Sequence, residues 1–402
     1  MNRPLSHSLA AVVAWASIAG AGVCAAQAPE PPMPPGTVVL GPVQITPSVV
    51  LTDMGVDQNV FNDPVDPKSD FTFTLTPRAE VRFRMRRLRL TYLSTTEYVY
   101  FETFKSEGGL NTSSSARLEL DLGRLKPYGS VQGLNSQSRP NTEVDARARH
   151  HDLTYGAGVS FKIASRTSVV VNGTTGTVAY DEDEPTFRGV DLADSFNGRR
   201  RGVDTGIALE LTPITTLNVT LGRDEQRFTL SPDRDANSWR VSATASFNPS
   251  GVLTGSASLG YRDFQPLSST IEPYAGLVSS ASIGVTIYSR HQVSAQFNRD
   301  VQYSYDRESV YYVNTGGTVT WTWLFAGPLD VRGTAGRVRM AYQDDADGVD
   351  RTTTYGGGIG YRLPHQARLG LNVLWTRRDS STDPLRGFRN HRIFAGLSWG
   401  TT

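Results

Sequence analysis

The chain is poor in cysteine, in net charge and in long apolar runs, and each shortage closes off a class of protein. Its one cysteine, Cys24, lies so near the N-terminus that removal of an export signal would leave no disulfide framework and no thiolate chemistry. Against 39 Asp and Glu stand 40 Lys and Arg, so the broad attraction that a nucleic-acid-coating protein needs is missing and no nucleic-acid partner is expected. A mean hydropathy of -0.32 excludes a polytopic helical membrane protein. What 402 residues can still make is a soluble all-β or mixed protein, or a barrel whose strands are apolar on one side only.

The N-terminal segment points to export. Arg3, an alanine-rich apolar run over residues 9–23 and the small residues after it have the layout of a secretory signal spanning 1–26, with cuts possible after Ala25, Ala26 or Ala28. A spanning helix is the rival reading, but Gly20, Gly22 and the prolines at 29, 31, 32, 34 and 35 keep the segment short. A lipoprotein box at Ala21-Gly22-Val23-Cys24 would place bulky Val23 just before the cysteine. Residues 27–42 then read as a Pro-rich periplasmic spacer.

From Phe71 onward the dominant signal has period two. Phe71, Phe73, Leu75, Val81, Phe83 and Met85 alternate with Thr72, Thr74, Thr76, Arg82, Arg84 and Arg86, a run much longer than a globular strand of about five or six residues. The same alternation returns at residues 116–122, 239–247 and 293–305. Short turns near 86–87, 123–126, 164–166, 213–215, 248–251, 289–290, 325–327 and 363–366 interleave with mostly longer polar segments. The fold class this predicts is all-β: a transmembrane antiparallel up-and-down β-barrel of about 18 strands over 43–402, closed so that no sheet edge is left unpaired.

Aromatic residues fall near strand ends and read as interface girdles: Trp321, Trp323, Tyr361 and Trp399 beside the short turns, Trp239, Trp375, Tyr98, Tyr100, Tyr261, Tyr303, Tyr305, Tyr311 and Tyr355 toward the long loops. The alternation assigns Gln292, Gln296, Asn298 and Asp300 to a polar lumen. Arg82, Arg84, Arg86, Arg89, Arg117, Arg362 and Arg368 cluster toward the short turns as candidate basic residues of the lumen and periplasmic mouth. The carboxylates of the long segments, among them Asp57, Asp63, Asp70, Asp183 and Asp345, predict an acidic outer rim, a field that would gather anions from the periplasm.

No catalytic, cofactor-binding or metal-ligating residue is assigned, and no enzyme is expected. Asp345-Ala346-Asp347-Gly348 lacks both the first ligand and the terminal Glu of a calcium loop. His150-His151 beside loop carboxylates is the one constellation that a surface hydrolase could use, and it has no supporting spacing.

The opening hairpin, with Gly55-Val56-Asp57-Gln58-Asn59-Val60-Phe61, then Ser69-Asp70 and a long alternating strand, resembles the putative beta-barrel porin 2 family. That resemblance implies an outer-membrane barrel, some of whose relatives assist exopolysaccharide export. It also implies contact with outer-membrane lipid and lipopolysaccharide, with the barrel assembly machinery that reads an aromatic closing strand such as residues 392–399, and with periplasmic polysaccharide-export proteins and their polymer. The alternatives are a general diffusion porin for small solutes and a closed barrel with adhesive external loops.

Overall fold

The computed structural model describes residues 36–181, 188–247, 252–306, 309–343, 348–381 and 383–400. The segment read as an export signal and residues 27–35 of the spacer lie outside them, as do Asp183 and Asp345. A short strand, β1 (Val38–Leu40), precedes eighteen long ones. These are β2 (Val43–Asp57), β3 (Asp70–Met85), β4 (Leu88–Phe101), β5 (Gly109–Leu120), β6 (Leu125–Ser138) and β7 (Ala148–Ala164). Next come β8 (Thr167–Tyr180), β9 (Gly198–Thr212), β10 (Thr215–Phe228), β11 (Ala236–Phe247), β12 (Leu253–Pro266) and β13 (Tyr274–Ile287). The circuit ends with β14 (His291–Tyr303), β15 (Tyr311–Ala326), β16 (Leu329–Tyr342), β17 (Val349–Leu363), β18 (Ala367–Ser380) and β19 (Phe388–Gly400).

Each of these strands pairs antiparallel with the next, and β19 returns to β2 through pairs such as Leu397 with Leu51 and Trp399 with Val49. The long sheet therefore has no free edge, which lets so much backbone stand in lipid. β1 hydrogen-bonds to the first residues of β2, from Val38 with Ile45 to Leu40 with Val43. The end of the expected spacer is thus a small hairpin; it occupies the flank of β2 that β19, stopping opposite Ser48, leaves uncovered.

The strand faces follow from side-chain chemistry. On β12, Leu259 and Tyr261 are 59% and 51% exposed and face outward, while Ser256, Ser258 and Arg262 share the other face. Seam closure requires one correction to this alternation. A bulge between Thr52 and Gly55, with Asp53 at φ 51°, turns Met54 and Val56 outward where Val49 and Leu51 had been. Gly55 is obligatory there: a Cβ would lie 2.0 Å from the carbonyl oxygen of Ile393.

The period breaks a second time, at the outer end of β14. Its pairing to β13 stops at Ser279 with Arg299, although β13 continues to Tyr274, while its pairing to β15 goes on to Tyr303 with Tyr311. The β14–β15 tip thus leaves the wall. Tyr303 packs against Phe228 and Phe264, and Val301, Tyr305 and Tyr311 are buried. These residues, expected on the lipid face and in the outer girdle, instead belong to apolar clusters within the mouth.

Candidate channel and its outer constriction

The inner face is identified by contacts that jump a strand, which only a concave surface permits. Tyr128 on β6 donates to Asn172 on β8 (2.6 Å), Arg240 on β11 meets Asp204 on β9 (3.5 Å), and Arg368 on β18 clasps Asp330 on β16 (2.6 and 2.9 Å). Each passes over a glycine of the intervening strand, Gly158, Gly222 or Gly360, where a Cβ would overlap the crossing side chain. Arg262 reaches Asp300 in the same way (2.8 Å), across β13.

The residues singled out from the sequence are distributed around this wall. Arg82 pairs with Glu80 (2.6 Å), Arg84 stands opposite Arg89, and Arg117 pairs with Glu119 (2.8 Å) while lying 3.6 Å from the centre of the Tyr128 ring. Arg86 sits in the β3–β4 turn with φ 50°, and Arg362 donates to the turn carbonyl of Gly327 (3.4 Å). Gln292, Gln296 and Asn298 stand in register with Thr322, Thr318 and Gly316 on β15. Trp239, Tyr361 and Trp399 are more than two-fifths exposed, Trp321 and Trp323 stack beside His291, and Trp375 stacks on Tyr355. His150 and His151 do not converge. His150 is buried against Tyr180, whereas His151 is half exposed and faces Asp181 at 3.5 Å.

The outer mouth is built from residues that the sequence reading passed over. The β6–β7 connection, residues 139–147, crosses the lumen to the β16–β18 wall. Asp145 binds Arg378 (2.8 Å) and accepts from Asn62 (2.8 Å), Arg378 also holds the Thr142 carbonyl, and Thr142 donates to the sulfur of Met340 (3.3 Å). On the near side Arg139 donates to the Val60 carbonyl (2.8 Å) and Arg147 pairs with Glu107 (2.8 Å). The inward-bent β14–β15 tip meets this loop from another side. Ser304 donates to Glu143 (2.7 Å), and the carbonyl of Tyr305 accepts from Ser195 (2.9 Å) on the short helix α1 (Leu192–Phe196). Arg234, almost wholly buried, reaches the Ser304 carbonyl, and Arg188 binds Asp383.

Glu143 is the centre of this assembly. Its carboxylate accepts from Ser304, from the Tyr305 amide (3.2 Å) and from the Tyr342 hydroxyl (3.0 Å), with Arg386 at 3.7 Å. Burial dominates and pushes its pKa up to about 7; the three hydrogen bonds and Arg386 oppose the rise without cancelling it. Burial likewise lowers Arg139 to about 10, helped by Arg147 nearby. Basic groups also stand in this mouth: Arg147 pairs with Glu107, Arg188 with Asp383, Arg378 with Asp145 and Arg386 with Glu143, whereas Asp183 and Asp345 of the expected acidic rim lie outside the described residues. The sequence signal that points to them is a set of arginines within the long polar segments, Arg139, Arg147, Arg188 and Arg386.

A closed antiparallel barrel, apolar outside, polar inside and narrowed by its external loops, defines an outer-membrane channel-type protein of Gram-negative bacteria. The chain belongs to the putative beta-barrel porin 2 family, whose model it matches over residues 32–399. Among solved structures it is similar to OccK2 (OpdF) of Pseudomonas aeruginosa, with TM-score 0.50 at 10% identity, covering 89% of this chain and 98% of that one. A BenF-like porin from Pseudomonas fluorescens and OccAB4 of Acinetobacter baumannii each give TM-score 0.49 at 10% identity with the same coverage. At such identity the likeness concerns the fold alone. No curated protein sequence matches the chain.

Proposed function

We propose that the barrel is a passive diffusion channel for small polar solutes with a preference for anions. The observation that carries this reading is the loop 139–147 pinned across the outer mouth, which narrows the route while the wall beneath it stays polar. The preference for anions is supported by the periplasmic half of the inner face, where Arg82, Arg84, Arg89, Arg117, Lys126, Arg332, Arg362 and Arg368 outnumber Glu80, Glu119, Asp121, Glu210 and Asp330. Hydroxyl and amide groups on the remaining wall exchange hydrogen bonds with a solute without retaining it, as conduction requires.

Export of an exopolysaccharide rests on the family resemblance alone, and a pinned crossing loop disfavours a polymer threaded through the mouth. The two readings separate in proteoliposomes and in cells. The expected result is a reversal potential displaced toward that of chloride in a KCl gradient, entry of small carboxylates ahead of oligosaccharides, and normal surface polymer after gene deletion. Cation selectivity would remove the anion preference; loss of surface polymer together with an electrically silent barrel would replace the whole reading by export.

A further inference from the structure

The outer face of β7–β10 carries a groove of about 540 Å³ that no channel function uses. Its floor is Ala157, Gly173 and Thr175, its flanks are Tyr155 and Val203, and Arg201 and Arg223 line its β9–β10 side. The register explains the shape. Ala157, Gly173, Val203 and Arg223 form one row, and Tyr155, Thr175, Arg201 and Glu225 form the next row toward the loops. Val203 and Tyr155 are 59% and 53% exposed, so they project as walls, while a Cβ at Gly173 would meet nothing nearer than the Ala157 carbonyl oxygen at 4.0 Å. The groove is a gap in an apolar band, open to lipid along its length.

Depth and charge identify what fills it. Arg223 stands opposite Trp239 and holds its guanidinium 5.4 Å from that ring, at the level where an exposed tryptophan marks the boundary between acyl chains and headgroups. Glu225 engages Arg223 (3.2 Å) and Arg227 (4.0 Å). Among the described residues no carboxylate lies within ion-pair distance of Arg201 or Arg199, which face the same way one row and two rows farther out, with Glu225 opposite Arg201 in register. Guanidinium groups in that layer match phosphate, which they bind through paired hydrogen bonds. The outer leaflet of such a membrane presents phosphates on acylated sugars. We propose that this groove is a specific site for a phosphorylated glycolipid of the outer leaflet, one acyl chain lying over Ala157 and Gly173 and a phosphate held by Arg201 with Arg223.

The test is native mass spectrometry of the full folded barrel released from detergent, with bisphosphorylated lipid A as the probe and phosphatidylglycerol as the competitor. The wild-type barrel retains one lipid A. Retention falls about tenfold when Arg201→Gln and Arg223→Gln remove the phosphate ligands, and also falls in Gly173→Leu, which fills the floor and leaves every charge in place. Thr175→Leu fills the same space should Gly173→Leu fail to fold; folding is judged by heat-modifiable gel mobility. Equal retention in wild type and variants overturns the site. So does an equal loss in Arg337→Gln with Arg339→Gln, on a different part of the outer face, or retention of phosphatidylglycerol as firm as that of lipid A.

Discussion

Glu143 concentrates the chemistry of the outer mouth in one carboxyl group. With its pKa near 7 in the closed mouth and an ordinary value of 4.5 once exposed, it takes up a proton as the loop closes. Closure is therefore favoured most below about pH 4.5, weakens as pH rises toward about 7, and changes little beyond that. The other charged groups around it are Arg386 and, next to Arg386, Asp306, Asp350 and Asp383 at 3.6, 3.8 and 3.9 Å, so the guanidinium keeps partners whichever form Glu143 takes. Single-channel recordings should show open probability rising between about pH 4.5 and about pH 7, and Glu143→Gln, an uncharged isostere, should flatten that profile. A wild-type slope surviving in the Gln variant would assign the pH response elsewhere. Nothing in the sequence around Asn141-Thr142-Glu143-Val144 marks this residue, because its burial is created by Ser304, Tyr342 and Arg386, which stand between 161 and 243 positions away.

At the scale of the strand, alternation makes a sharper prediction than composition could. Leu259 and Ser258 are neighbours at the middle of β12, one exposed to lipid and the other sharing a hydrogen bond with Thr244 (2.9 Å) on the inner face. Leu259→Arg should cost about 2–4 kcal/mol of barrel stability, and Ser258→Arg less than about 1 kcal/mol, read as the shift in the denaturation midpoint of the refolded protein in lipid. Equal losses would mean that the faces are misassigned. Strands were legible because lipid on one side and water on the other demand opposite residues at successive positions. Turns were nearly as legible: Tyr288-Ser289 and His365-Gln366 adopt positive φ without glycine, yet each lies where the period resets. The end of β14 was not legible. Val301, Tyr303 and Tyr305 continue the outward pattern by residue type, and only Phe228, Phe264 and the loops beside them reveal that the hairpin leaves the wall for an apolar nest inside.

The whole molecule is a regular barrel joined to an irregular mouth, and the two were readable to different degrees. Closure of β19 on β2 and the strand number follow from a repeated local pattern. The crossing of residues 139–147 depends on matches such as Asp145 with Arg378, between elements far apart in sequence and about a third of the way around the barrel from one another. The most direct measurement is the conductance of the reconstituted full-length protein in a planar bilayer, compared with a variant in which residues 140–146 are replaced by a short Gly-Ser link. An aqueous barrel narrowed by that loop predicts small, discrete steps for the wild type and several-fold larger steps for the variant. Silence from both folded proteins, or steps of the same size, would contradict it.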